Sequence, residues 1–403
     1  MNAVFQRDLL PQTILSFLPL TLFFPVGIIY AFIVLFIISW LYSAGFQAKW
    51  QAVKMNPMFT PIAGMFVVSC LAAVLLERPQ GTFWSGFAHY QIYIFLLLFI
   101  SAGPGDWQRQ AVRFFFAGAV YAATLYYLNF IGLLPGWGIF TNYLEYKGNK
   151  SILYAILLAI AAAWMLHEIV SIADRRRMWL RILAFLYVVI ALLFLAKSRT
   201  ASLIFILLCA WIFIKCYAMS RRNMLWIFSL VSLFAVVWVS VSDVGQRIRG
   251  TLGDIEAFSQ GKQISDDGIR LEMFSITSRI IAEKPWTGHG IATFPIQYRQ
   301  YAKGLPSEGT HTPHNDYLLY ASEIGFIGLA VLLWIWLTQL IIAWKIGGAP
   351  GMWLGTLGVA IMVGGMFNAI LRDAVFGMPL MVLLAIPLAG VTRSDLIRYE
   401  KKY

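Results

Sequence analysis

The chain has 403 residues, of which 60% are hydrophobic and only 12% charged. A soluble domain carries about a quarter charged residues, and this deficit, with a mean hydropathy of +0.73, excludes an ordinary soluble enzyme. The formal charge of +12 could point to nucleic acid, but in so apolar a chain it is read as loop lysine and arginine that set membrane topology, and no nucleic-acid partner is expected.

Taken in order, the apolar runs are continuous rather than alternating, which selects membrane helices over barrel strands. Residues 1–13 hold Asp8 and lead into a span with no small-residue cleavage site, so the first helix is expected to be retained. The run 14–43 is too long for one span and holds Pro25-Val26-Gly27, which predicts two helices and a tight turn. Spans follow at 61–76, 87–102, 112–134, 152–172, 178–196, 201–217 and 225–242. A long polar segment separates these from the last three, at 317–344, 352–370 and 374–391. The expected fold class is an all-α polytopic membrane protein of about twelve transmembrane helices. Cys70, Cys209 and Cys216 lie in apolar runs with no CxxC or zinc spacing, so disulfides and a metal site are not expected.

Short loops carry the orientation signal. Asp174-Arg175-Arg176-Arg177, Ser220-Arg221-Arg222 and the basic tail 393–402 place both termini in the cytoplasm. The organisation is then 1–242 with nine helices, a large helical outer loop at 243–315, and 316–403 with three helices and a cytoplasmic tail. Within the loop, Ser265-Asp266-Asp267 is an N-cap cluster ahead of a helix at 269–282, on which Arg270, Phe274, Thr277 and Ile281 share a face. Pro285 stops that helix, and Gly288 and Gly290 punctuate the turn after it. So long a segment is expected to pack as a cap over a cleft.

Charged residues at the lipid boundary are the candidates for chemistry. Arg199 sits at a junction of two spans with almost no loop, beside Lys197, Ser198 and Thr200. An interfacial arginine commonly snorkels to lipid phosphate, but one fixed at such a junction can also turn inward to an anionic ligand. Arg270 and Arg279 fall on different faces of the outer helix, and Arg270 follows a helix start that itself favours an anion. Arg372-Asp373 lies at the outer end of a span beside Asn368, as a surface ion pair or as an orienting group. His311 and His314 could both be solvated loop histidines. His314 stands at a helix entrance, where a neutral imidazole can accept a proton from a hydroxyl. There is no Gly-x-Ser-x-Gly, P-loop, HExxH or Asp-x-Asp, which removes hydrolase, ATPase, zincin and metal-assisted sugar-nucleotide readings.

Three motifs carry a resemblance. Pro-His-Asn-Asp-Tyr-Leu-Leu-Tyr-Ala-Ser-Glu-Ile-Gly-Phe-Ile-Gly, with His314-Asn315 and then Gly325 and Gly328, resembles the signature of the O-antigen ligase and polymerase superfamily. Asp267-Gly268-Ile269-Arg270 running to Pro285-Trp286-Thr287-Gly288-His289-Gly290 is similar to that family's arginine-bearing helix and its Pro-x-x-Gly-x-Gly turn. Ala196-Lys197-Ser198-Arg199-Thr200 looks like its outward arginine junction. The motifs cover about 190–373; earlier residues match in hydropathy alone.

The resemblance implies a membrane-embedded glycosyltransferase of the GT-C class, inverting, metal-independent and without a cofactor, in the bacterial inner membrane with its site on the periplasmic face. It implies an undecaprenyl-pyrophosphate-linked O-antigen donor and a lipid A-core acceptor among membrane lipids. By the same resemblance His314 is the general base, and Arg199 and Arg270 hold the pyrophosphate. Asp373, Arg372, Asn315, His311, Lys197 and Arg279 are supporting candidates. A polymerase, a protein O-oligosaccharyltransferase and a lipid or polysaccharide transporter remain alternatives. A transporter should show repeat symmetry and mid-bilayer charges, whereas the charges here cluster at one interface.

Overall fold

In the computed structural model, residues 2–144, 149–171, 178–216, 266–372 and 374–400 are described. The expected span at 225–242, the loop residues 243–265 and Asp373 lie outside them. The regular secondary structure of the described residues is all helical. The first part comprises α1 (Asn2–Thr21), α2 (Val26–Tyr42), α3 (Phe46–Met55), α4 (Phe59–Leu75), α5 (Phe83–Tyr90), α6 (Ile92–Ile100) and α7 (Trp107–Phe130). Then come α8 (Thr141–Leu144), α9 (Asn149–Ser171), α10 (Met178–Ile190) with a π turn (Ala191–Leu195), and α11 (Arg199–Cys216). The polar segment supplies α12 (Asp266–Glu283) and α13 (Phe294–Ala302). The last helices are α14 (Asp316–Ile346), α15 (Gly348–Phe367), α16 (Ala374–Leu388) and α17 (Arg393–Glu400).

Among these, six helices are long and apolar enough to cross a membrane, or eight if each of two bent pairs forms one span. The chain is a multi-pass membrane protein on that count; the expected twelve is a larger number than the described helices supply. The Pro25 turn does divide 14–43, since α1 ends at Thr21 and α2 begins at Val26. The span expected at 87–102 is instead two helices, α5 and α6, bent by 42° at Gln91. Hydropathy registers apolar content, and a local bend leaves that content unchanged.

The core is built around α9. Tyr154 to Trp164 are all buried, with Ala159-Ile160-Ala161-Ala162-Ala163 at the centre. A helix apolar on every side belongs inside a bundle, and small side chains let neighbouring backbones approach. Trp164 donates from Nε1 to Thr356 Oγ1 at 2.8 Å, fixing α9 against α15.

Contacts along α15 set the directions of its neighbours. A Cβ at Gly364 would lie 3.7 Å from Ile204, and one at Gly355 would lie 2.5 Å from Trp211, so α11 and α15 run antiparallel. The N-terminus of α11, with Arg199, therefore shares one end of the bundle with the C-terminus of α15, at Asn368. Basic side chains gather at the other end. Lys215 lies over the Trp344 ring at 2.9 Å, Arg393 donates to Thr60 Oγ1, and Lys345 lines an opening with Asp395.

Helix α14 is broken where the family-like pattern has its glycine. Ile324 and Gly325 leave helical geometry, with Gly325 at φ +68° and ψ −175°, a region that in practice only glycine occupies. The break frees backbone groups, and the turn after α12 satisfies them. His289 N–H donates to the Ser322 carbonyl at 3.0 Å and Gly290 N–H to the Glu323 carbonyl at 2.9 Å, while Phe326 N–H donates to the Pro285 carbonyl at 2.7 Å. The approach leaves no room for side chains. A Cβ on Gly325 would stand 2.1 Å from the Trp286 carbonyl oxygen, and one on Gly288 would stand 2.4 Å from the Glu323 carbonyl carbon.

Gly325→Ala should therefore destabilise the protein by at least about 2 kcal/mol, combining Gly-only geometry with a backbone clash. Gly132→Ala, at φ +74° with open space around it, should lose less. Thermal unfolding of the two detergent-solubilised variants, followed by size-exclusion chromatography, checks the order.

Candidate active site

The polar segment and the outer halves of several helices form the site. Helices α12 and α13 pack on α14 through Met273, Ile276, Ile280, Phe294, Tyr298 and Leu319. Thr277, on the same side of α12, is fully buried, while Arg279 points outward and is exposed. The expectation that Arg270 and Arg279 occupy different faces is what the helix displays. Helix α13 had no sequence signal strong enough to separate it from loop, being short and mixed in polarity.

Beside this cap lies a cleft of about 190 Å³ lined by His89, Thr312, His314, Asn368, Arg372 and Phe376. His314 is half-buried and has φ +48°. A non-glycine residue at positive φ stores strain that its surroundings must hold in place. Here the Thr312 hydroxyl accepts from the His314 N–H at 3.2 Å, and the next residue is a helix cap. Asn315 Oδ1 accepts from Leu318 N–H at 3.0 Å and its Nδ2 donates to the Met366 carbonyl at 2.9 Å. Both ends of the Asn315 side chain thus serve to fix His314 between α14 and α15.

Arg372 is presented by a second device. Asp316, fully buried in the first turn of α14, accepts from the Leu371 N–H at 3.2 Å. This carboxylate holds the turn that follows α15. Arg372 Nη1 then donates to the His311 carbonyl at 2.9 Å, so His311 acts through its backbone while its side chain is exposed.

Among the described residues, the charges acting on His314 are positive. Burial first, then the charges of Arg270 and Arg372, hold the His314 imidazole below its ordinary pKa range. Arg270 is thereby close enough to be felt at His314, although it does not line the cleft. Arg199 is half-buried at the first turn of α11, after Ser198, whose Oγ accepts from the Ala201 N–H at 3.3 Å. It shares the site's end of the bundle and stands outside the cleft wall. Lys197 is exposed with φ +47°.

Sequence reasoning missed a buried carboxylate and its partners. Glu323 is 3% exposed. It accepts from Tyr90 Oη at 2.8 Å and from the Phe294 N–H at 3.4 Å. With His89, Tyr90 and Arg372 it lines a small pocket that adjoins the cleft. A glutamate in the middle of an apolar run was the available signal, because a buried charge needs partners. Among the described residues no group of three or more His, Cys, Asp or Glu side chains is placed to hold a metal ion.

The fold and the cleft define a polytopic helical membrane protein with a cationic, histidine-bearing site at one end of its bundle. Residues 182–333 match the family model described as O-Antigen ligase. That segment runs from α10 to the middle of α14, and over it the chain is similar to the O-antigen ligase superfamily. No curated protein matches the chain.

The depressed His314 pKa has a direct consequence. For a His314 that serves as a base, which must be unprotonated to act, the acid limb of kcat/KM should fall below the ordinary imidazole value of about 6.5. Removing a neighbouring positive charge raises that pKa, so Arg372→Gln should move the limb to higher pH. A pH–rate profile of both proteins measures the displacement.

Proposed function

We propose that the protein is an O-antigen ligase that transfers a polysaccharide from undecaprenyl pyrophosphate to a sugar hydroxyl of the lipid A core. The reaction is inverting and independent of metal, and the site faces the periplasm from the bacterial inner membrane. The observation that carries this reading is His314, held at positive φ in the wall of a cleft and subject to the charges of Arg270 and Arg372.

The steps follow from these groups. The acceptor hydroxyl loses its proton to His314 as its oxygen attacks the anomeric carbon of the donor sugar. The bond from that carbon to the pyrophosphate oxygen breaks, and undecaprenyl pyrophosphate leaves with the electron pair. Arg199 and Arg270 stabilise the charge that grows on the leaving group. Arginine suits this better than lysine, because its planar fork matches phosphate oxygens and stays charged. Both lie near helix N-termini, whose N–H groups favour an anion. Arg372 completes the positive field and supports the ordering of His314.

The gathering of basic side chains at the bundle end opposite the cleft supports the periplasmic assignment. Lys197, His311 and Arg279 are secondary, since their side chains are exposed. Asp373 remains a proposed orienting group.

His314→Ala should reduce transfer by 10²-fold or more, within the range for removing a general base. Arg199→Ala and Arg270→Ala should abolish it, with lysine at either position recovering little. Activity should persist in a chelator. The assay is transfer of purified lipid-linked polysaccharide in detergent, offered lipid A-core or shorter lipid-linked repeats. Elongation of the carrier-bound chain without core acceptor would make the protein a polymerase instead.

A further inference from the structure

We infer that His89, contributed by the broken span α5–α6, is a second functional histidine that hydrogen-bonds the acceptor sugar and sets its specificity. The inference rests on the transfer reading above and assigns the cleft to one substrate.

His89 lies more than two hundred residues before His314 in the chain, in a stretch that reads as ordinary membrane helix. The bend at Gln91 changes its position. Tyr90 Oη is bonded to the buried Glu323 of α14, and Gln91 Nε2 donates to Ser69 Oγ of α4 at 2.7 Å. Gly86 fits tightly beneath the outer turn, where a Cβ would meet Ala292 Cβ at 2.6 Å. Helix α5 is therefore clamped on three sides at the level of the cap, and His89 becomes part of the cleft wall together with His314.

The chemistry of that wall is suited to a sugar. It offers a hydroxyl in Thr312, two imidazoles and one guanidinium, with Asn368 and Phe376 almost wholly buried in the wall. Hydroxyl and imidazole groups match the donors and acceptors of sugar hydroxyls. At about 190 Å³ the cleft is smaller than the roughly 300–1,000 Å³ of pockets for drug-sized ligands, so it suits a short acceptor terminus rather than a long polymer. Arg199 and Arg270, the pyrophosphate candidates, stand outside its wall. The ring in the cleft is therefore the acceptor, and its hydroxyl is the one His314 deprotonates.

The test uses the full-length protein with saturating lipid-linked polysaccharide and varied lipid A-core. His89→Ala should raise the KM for lipid A-core about ten-fold, the effect of losing one good hydrogen bond. The kcat and the donor KM should stay within about two-fold, and His89→Gln should restore most of the loss. An unchanged acceptor KM, or a rise in donor KM in its place, would overturn the assignment. A second measurement is free of turnover: saturation-transfer NMR between delipidated core oligosaccharide and the protein. The contact should be present in the wild type and weakened in His89→Ala, and its absence from the wild type overturns the subsite. Contact without transfer, or full transfer by His314→Ala, would sink the ligase mechanism while leaving the sugar contact standing.

Discussion

The structure depends on a helix that is interrupted on purpose. A transmembrane helix normally satisfies every backbone group internally, because lipid offers no partner. Helix α14 gives up that self-sufficiency at Ile324 and Gly325, and the Pro285–Gly290 turn supplies the missing donors and acceptor. Neither element is complete alone. Their docking fixes the cap on the bundle, and from that junction Glu323 reaches Tyr90 and the start of α13. The positions of His89, His314 and Arg372 all follow from elements tied to this junction.

This arrangement explains why the two strongest sequence patterns occur together. The histidine-to-glycine run and the proline-to-glycine turn lie on opposite sides of one backbone interface. Their glycines answer each other: Gly325 makes room for the Trp286 carbonyl, and Gly288 makes room for the Glu323 carbonyl. What reads as two signatures in one dimension is a single contact in three. Asn315 and Asp316 extend the logic, since one caps the helix that carries His314 and the other anchors the turn that carries Arg372.

Much of the helical outline was legible, because apolar length is a strong signal and most predicted spans overlap a helix. Arg270 and His314 stand out in the sequence through their motifs, and the structure adds that the Arg270 charge acts on His314. His89 was not legible. Its approach depends on a 42° bend produced by hydrogen bonds to distant helices, and no local pattern encodes those. Glu323 was visible as an anomaly but not as a partner of Tyr90, which lies 233 residues away. The bend in α5–α6 and the division of labour inside the Asn315 side chain are likewise tertiary facts.

The break in α14 also measures depth. Trp344 and Lys345 mark one end of the helix, where such side chains anchor at a membrane interface. A hydrocarbon layer of about 30 Å takes roughly 20 residues of helix, which counted back from Trp344 ends at the break itself. The eight residues before it, with Asp316 and Glu323, therefore rise into the headgroup layer. Under the proposed transfer, a lipid-linked donor and a lipid-anchored acceptor would both meet the site at that depth by sliding within the leaflet.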